Sequence, residues 1–125
     1  MTGATLDSGA LIAFERAKRR MVVLVARALE RRITLSVPAG VVAQVWRDGS
    51  RQVRLVRLLA SEFVDVVPLD DRTARTVGQL CGVSRTADVV DASVVLCALE
   101  RGQKVVTSDA ADLRRIDPDI DVVTV

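Results

Sequence analysis

The chain has 125 residues, 50% of them apolar and 27% charged, which suits one domain built on a single core and excludes a disordered chain. It contains no histidine, so Ser-His-Asp and Cys-His nucleophile systems, His general bases and His metal ligands are all excluded. With 18 basic and 16 acidic residues the net charge is only +2, and two Phe, one Trp and no Tyr leave almost no platform for stacking the bases of single-stranded nucleic acid.

Residues 3–6 read as a short strand, cut off by Asp7-Ser8-Gly9, where Asp7 or Ser8 can cap a helix through Ala10–Phe14. Lys18–Arg32 carries helical apolar spacing, Ile33–Val37 a strand, and Pro38 suits the start of a helix running to Arg47. Asp48-Gly49-Ser50 interrupts that pattern before Arg51–Ala60 resumes it. Phe63–Leu69 reads as a strand, and Asp70-Asp71 open a helix to about Leu80, closed by Gly82. Thr86 then caps a central helix that stops at Gly102. The strand Gln103–Thr107, a short helix Asp109–Ile116 and a terminal strand Val122–Val125 complete the chain. Strands alternating with helices through short loops imply an α/β fold, a mainly parallel sheet with helices on both faces, over residues 1–125 as one domain.

Cys81 and Cys97 are isolated among apolar neighbours, as buried free thiols in a reducing compartment would be. The apolar run Met21–Ala26 is far too short to span a bilayer, and no signal-peptide pattern opens the chain. A cytoplasmic protein without membrane association is expected. Arginine is frequent before Arg57 and aspartate after Asp65, so a near-neutral total conceals segregated charge.

The acids carry the most chemical information. Asp88 and Asp91 share one face of the central helix, and that face continues with apolar Val95 and Ala98. Two acids in a first helical turn also simply favour the helix dipole. Asp7 and Asp109, however, each follow an apolar strand, at the end of a parallel sheet where ligands bind. Acids gathered in a partly dry site repel one another unless a cation neutralises them. Without histidine the donors would be oxygens, favouring Mg²⁺, with Mn²⁺ as an alternative. Such a metal lowers the pKa of a bound water and stabilises the charged transition state of phosphodiester hydrolysis.

Three segments in order, LDSGALIAF, ADVVDASVVLCALERG and KVVTSDAADL, resemble PIN-domain nucleases, and more narrowly VapC-type toxins of bacterial toxin–antitoxin operons. The resemblance spans essentially the whole chain. It implies an α/β/α sandwich, a Mg²⁺- or Mn²⁺-dependent endoribonuclease acting on RNA, and inhibition by a cognate VapB-type antitoxin; a homodimer is expected from the surplus apolar surface of two short helices. By position, Asp7 matches the family's first acid, Asp91 the acid on the central helix, and Asp109 the acid after the fourth strand, as metal ligands and catalytic residues. Asp88 matches an additional catalytic acid and Asp112 a less constant acid or amide. Ser8, Thr107 and Ser108 neighbour them as polar supports.

One position departs from the family. The helix beginning PAGVVAQVW usually carries Glu where this chain has Gln44, which keeps an acceptor oxygen but loses a charge. Asp48, four residues on, shares that face if the helix continues. Weaker metal binding follows, or a silenced PIN fold that binds RNA or antitoxin without cutting. A receiver-type signalling domain ranks last, because it would want paired acids after its first strand.

Arg47, Arg51 and Arg54, with Arg57, would line one stripe of a continuous helix and contact an RNA backbone, or equally form a solvated face. Arg16, Arg19 and Arg20, with Lys18, form a basic knot able to steer RNA or receive an acidic stretch of antitoxin. Leu11, Ile12, Phe14, Val53, Val56 and Leu59 offer more apolar surface than two short helices need. Val89 and Val90 read as core, Trp46 as an anchor of its helix on the sheet, and Asp117, Asp119 and Asp121 as a solvated turn.

Overall fold

A computed structural model describes residues 3–125. Five strands, β1 (Ala4–Leu6), β2 (Leu35–Pro38), β3 (Val64–Val67), β4 (Lys104–Thr107) and β5 (Val122–Thr124), form one sheet in the order 3-2-1-4-5, every neighbouring pair parallel. Among the described residues seven helices connect them: α1 (Ser8–Glu15), α2 (Arg19–Glu30), α3 (Ala39–Val45), α4 (Val53–Leu59), α5 (Asp71–Ser84), α6 (Val89–Arg101) and α7 (Ala111–Ile116). The chain reverses direction of winding at β1, so the C-terminal ends of β1 and β4 lie side by side. That is the crevice where parallel α/β sheets collect ligand-binding residues.

Parallel strands must bury both faces, and alternate side chains serve the two layers. Ala4, Leu35 and Val106 point to one side, where Leu24 and Ala28 of α2 cover them. Thr5 and Ser36, paired in register, point to the other and lie under α6. Both hydroxyls are fully buried, so each needs a partner. Thr5 donates to the Gln103 side chain at 2.9 Å, and Ser36 accepts from Arg101 at 3.0 Å. Arg101 continues to Asp65 on edge strand β3 at 2.7 Å, tying the end of α6 to two strands.

The central helix behaves as its pattern implies: Val95 and Ala98 are buried below Asp91. Its N-cap is Asp88, however, two residues after Thr86. Thr86 instead accepts from the Asp88 backbone at 3.1 Å, stabilising the approach to the cap. Val89 consequently emerges on the first turn 48% exposed, outside the core, whereas Val90 packs against it. Cys97 is buried as expected; Cys81 is only partly so. Helix α5 runs through Gly82 to Ser84, and Arg85 closes it in the left-handed conformation.

The largest differences from the sequence pattern fall between β2 and α4. Pro38 is both the last residue of β2 and the N-cap of α3, with ψ at 140°, so the first helical residue is Ala39. Helix α3 stops at Val45, and Trp46 adopts an extended backbone. The stop is built by one side chain: Gln52 accepts from the Arg47 and Asp48 backbones at 2.8 and 3.0 Å, and donates to the Val45 carbonyl at 2.8 Å and to Glu15 at 2.9 Å. Trp46 does not anchor a helix on the sheet. Its ring lies over Gly49, where a Cβ would come within 2.8 Å of it, and it remains 40% exposed. The break also dissolves the arginine stripe. Arg47 turns back onto the Ala43 and Trp46 carbonyls, Arg51 pairs with Asp48 at 3.7 Å, and only Arg54 and Arg57 belong to α4.

Candidate functional site

Asp7 leaves β1 at the crevice and turns its carboxylate back to cap α1, Oδ1 accepting from the Ala10 backbone at 2.9 Å. Its own backbone stays in the sheet, donating to the Val106 carbonyl at 3.2 Å. The residue is 8% exposed. Burial pushes its carboxyl above the ordinary 3.8; the Thr107 hydroxyl and the Ala10 and Gly9 backbones oppose the rise, and the Asp109 charge adds to it.

Thr107 at the end of β4 shapes the loop that carries Asp109. Its hydroxyl donates to the Asp109 carbonyl at 3.0 Å and accepts from the Asp109 backbone at 3.1 Å. The Asp109 carboxylate then accepts from Ala111 at 3.0 Å, starting α7. The β1 and β4 exits are pressed together: a Cβ on Gly9 would come within 2.2 Å of the Ser108 hydroxyl oxygen. A side chain at Gly9 would also stand 3.3 Å from the Ser108 backbone nitrogen, so glycine eases the close approach of α1 to the β4 exit.

The third contribution comes from α6. Asp88 accepts from the Asp91 backbone at 2.9 Å, so the two acids are bound into one turn. Asp91 is partly buried, and its carboxyl is pushed up to about 6, first by burial, then by Asp88 and more weakly by Asp112 and Asp7. Asp112 stands on α7, loosely paired with Arg115 at 3.6 Å. Acids far apart in sequence thus come within range of one another: Asp91 feels Asp88, Asp112 and Asp7, and Asp7 feels Asp109.

Gln44 reaches the border of this site from α3, where its carboxamide oxygen accepts a hydrogen bond from Ser8. Asp48 does not supply the missing charge. It lies in the loop beyond α3, where it accepts from the Ser50 backbone and hydroxyl at 3.0 and 2.7 Å. Arg16, Arg19 and Arg20 are exposed around the α1–α2 junction, a full helix length, about 12 Å, from the end that Asp7 caps. Two residues that the sequence pattern did not single out, Arg85 and Arg115, line the same groove as Asp88, Asp91 and Asp112.

The donor set suits a hard cation. Among the described residues none of Asp7, Asp88, Asp91 and Asp109 has an ion-pair partner, and no three carboxylates converge into a ready-made cage. Mg²⁺ does not require one, since it keeps most of its waters and takes one or two carboxylates. An oxygen-only cluster short of positive charge fits that ion.

The PIN domain model matches residues 4–118. The chain belongs to the PIN domain family. No curated protein matches it in sequence. The fold resembles that of a chain in a toxin–antitoxin complex from Klebsiella pneumoniae, with a TM-score of 0.69 and 18% identity over 98% of this chain and 97% of that one. VapBC2 from Rickettsia felis, solved on a DNA fragment from its promoter, gives 0.73 and 13% over 97% of both chains. FitAcB from Neisseria gonorrhoeae gives 0.63 and 18% over 97% and 96%. At such identities the likeness is one of fold. Among the described residues of this PIN domain, no helix is long and apolar enough to cross a membrane.

Proposed function

We propose that this PIN domain is a Mg²⁺- or Mn²⁺-dependent endoribonuclease, the toxin of a toxin–antitoxin pair held in check by an antitoxin. The observation that supports the reading is that Asp91 lies within reach of the Asp88 and Asp7 charges, and Asp7 of the Asp109 charge, with no ion-pair partner for any of the four among the described residues. The toxin role draws on structural neighbours that are toxin–antitoxin complexes.

Asp7, Asp91 and Asp109 would hold the metal, with Asp88 positioning the Asp91 turn. A divalent ion held there would supply an activated water and offset negative charge on the attacked phosphate. The chain's own work is preorganisation. Ala10 fixes the Asp7 carboxylate, Thr107 and Ala111 fix Asp109, and the Asp88 carboxylate fixes the backbone of Asp91.

Asp7→Asn is the cleanest probe, because Asn caps a helix as well as Asp does and α1 should survive. Cleavage of structured RNA in Mg²⁺ or Mn²⁺ is expected to fall at least ~100-fold, the scale of losing a positioned catalytic group. Equal cleavage by the two proteins would remove Asp7 from the reaction.

A second reading, a PIN fold that binds RNA or antitoxin with little cutting, is favoured by Gln44 alone. Gln44→Glu restores a charge beside Ser8 and is expected to tighten Mn²⁺ binding about tenfold, read by calorimetry. An unchanged affinity would place this side chain outside the metal's reach.

A further inference from the structure

Beside Asp91 lies a groove of about 240 Å³ lined by Thr86, Asp88, Asp91 and Asp112 together with Arg85 and Arg115. We propose that Arg85 and Arg115 grip a phosphate of the RNA neighbouring the one under attack, making this groove the path by which substrate enters. The inference rests on the ribonuclease reading and adds the residues that bring RNA to it.

A polyanion approaching five carboxylates is repelled, and one divalent ion offsets only part of their charge. Cations at the rim remove that barrier, and the arginine fork matches phosphate oxygens two at a time. Arg85 has no ion-pair partner among the described residues. Arg115 is held only by Asp112 at 3.6 Å, with side-chain exposures of 80% and 62%. An exposed pair of that kind contributes little, so exchanging Asp112 for a phosphate costs little. The arginines beyond α3 lack this placement: Arg51 and Arg54 line a separate hollow with Glu15, Gln52 and Val53, which contains none of the aspartates.

Arg85 closes α5 with φ 55° and ψ 42°, a conformation glycine adopts freely. Arg85→Gly therefore deletes the guanidinium while easing the backbone, and Arg115→Gln removes the second charge from an exposed position on α7. Both are tested in the 125-residue chain carrying Asp7→Asn, so that a labelled single-stranded RNA remains intact during anisotropy measurements in Mg²⁺. Each change is expected to weaken binding about tenfold and to flatten the slope of log affinity against log salt by roughly 0.7. Mn²⁺ affinity, measured in the otherwise wild-type chain, should stay unchanged, and Arg→Lys at either position should recover part of the binding. RNA affinity and salt slope equal to those of the parent would overturn the inference. If proteins with intact Asp7 cut RNA equally well with and without the arginines, the inference fails and the ribonuclease reading survives. If the Asp7-intact chain neither binds nor cuts RNA, both fail.

Discussion

Asp91→Asn is expected to abolish RNA cleavage and yet to melt at a higher temperature than the wild type in metal-free buffer near pH 7. The two effects have one cause. The folded protein holds Asp91 near a pKa of about 6, against 3.8 for an ordinary aspartate, so its ionised form is disfavoured by folding. Below pH 3.8 the carboxyl is neutral in folded and unfolded chains and carries no penalty. As pH rises through about 6 the favourable contribution of its protonated form is lost, and at neutrality the cost of burying the charge remains, together with the repulsion from Asp88, Asp112 and Asp7. A shift of that size in a dry site would be worth about 3 kcal/mol, and solvent screening of a partly exposed side chain reduces it to about 1 kcal/mol. The amide removes the repulsion and keeps the shape, giving an increase of about 3–5 °C in Tm. Thermal melts of both proteins across the acid range should show the gap closing as pH falls toward 4. A variant that is less stable at neutral pH would mean that the Asp91 charge is already compensated in the wild type.

Leu11→Ala is expected to produce the largest loss of stability, about 3 kcal/mol and a fall in Tm of about 10 °C. Leu11 is fully buried on α1, the helix that Asp7 caps, and belongs to the core shared with Val41 of α3 and Leu55 of α4. Truncation leaves a cavity in the part of the molecule that orients Asp7 and Gln44. The folded fraction should nonetheless bind Mn²⁺ as tightly as wild type, because the hydrogen bond from Ala10 to Asp7 is made by backbone. Denaturant melts with and without Mn²⁺ separate the two effects. A loss below about 1 kcal/mol would show that α1 relaxes into the space.

The sheet was legible because each parallel strand is a short apolar run stopped by Asp, Pro or Ser, and the helices between have clear periodicity. The positions of Asp7 and Asp109 followed from the same punctuation, since a strand that ends abruptly in an acid leaves that acid at the sheet's edge. The α3–α4 segment was not legible in this way. Its break depends on Gln52 reaching back to Val45, Arg47 and Asp48, and a glutamine has no spacing signature for such a role. Thr86 and Asp88 are both good caps, and local sequence does not choose between them; Asp88 takes the role by accepting from the Asp91 backbone. Arg85 and Arg115 escaped notice because packing of α5, α6 and α7 alone brings them together.

The most direct test of the account is a calorimetric titration of Mn²⁺ into metal-free wild type, Asp7→Asn and Asp91→Asn near pH 7. Saturable binding by the wild type that is lost or weakened at least ~10-fold in both variants is the expected result. Identical isotherms for the three proteins would contradict it, and the clustered aspartates would then have to be explained without a metal.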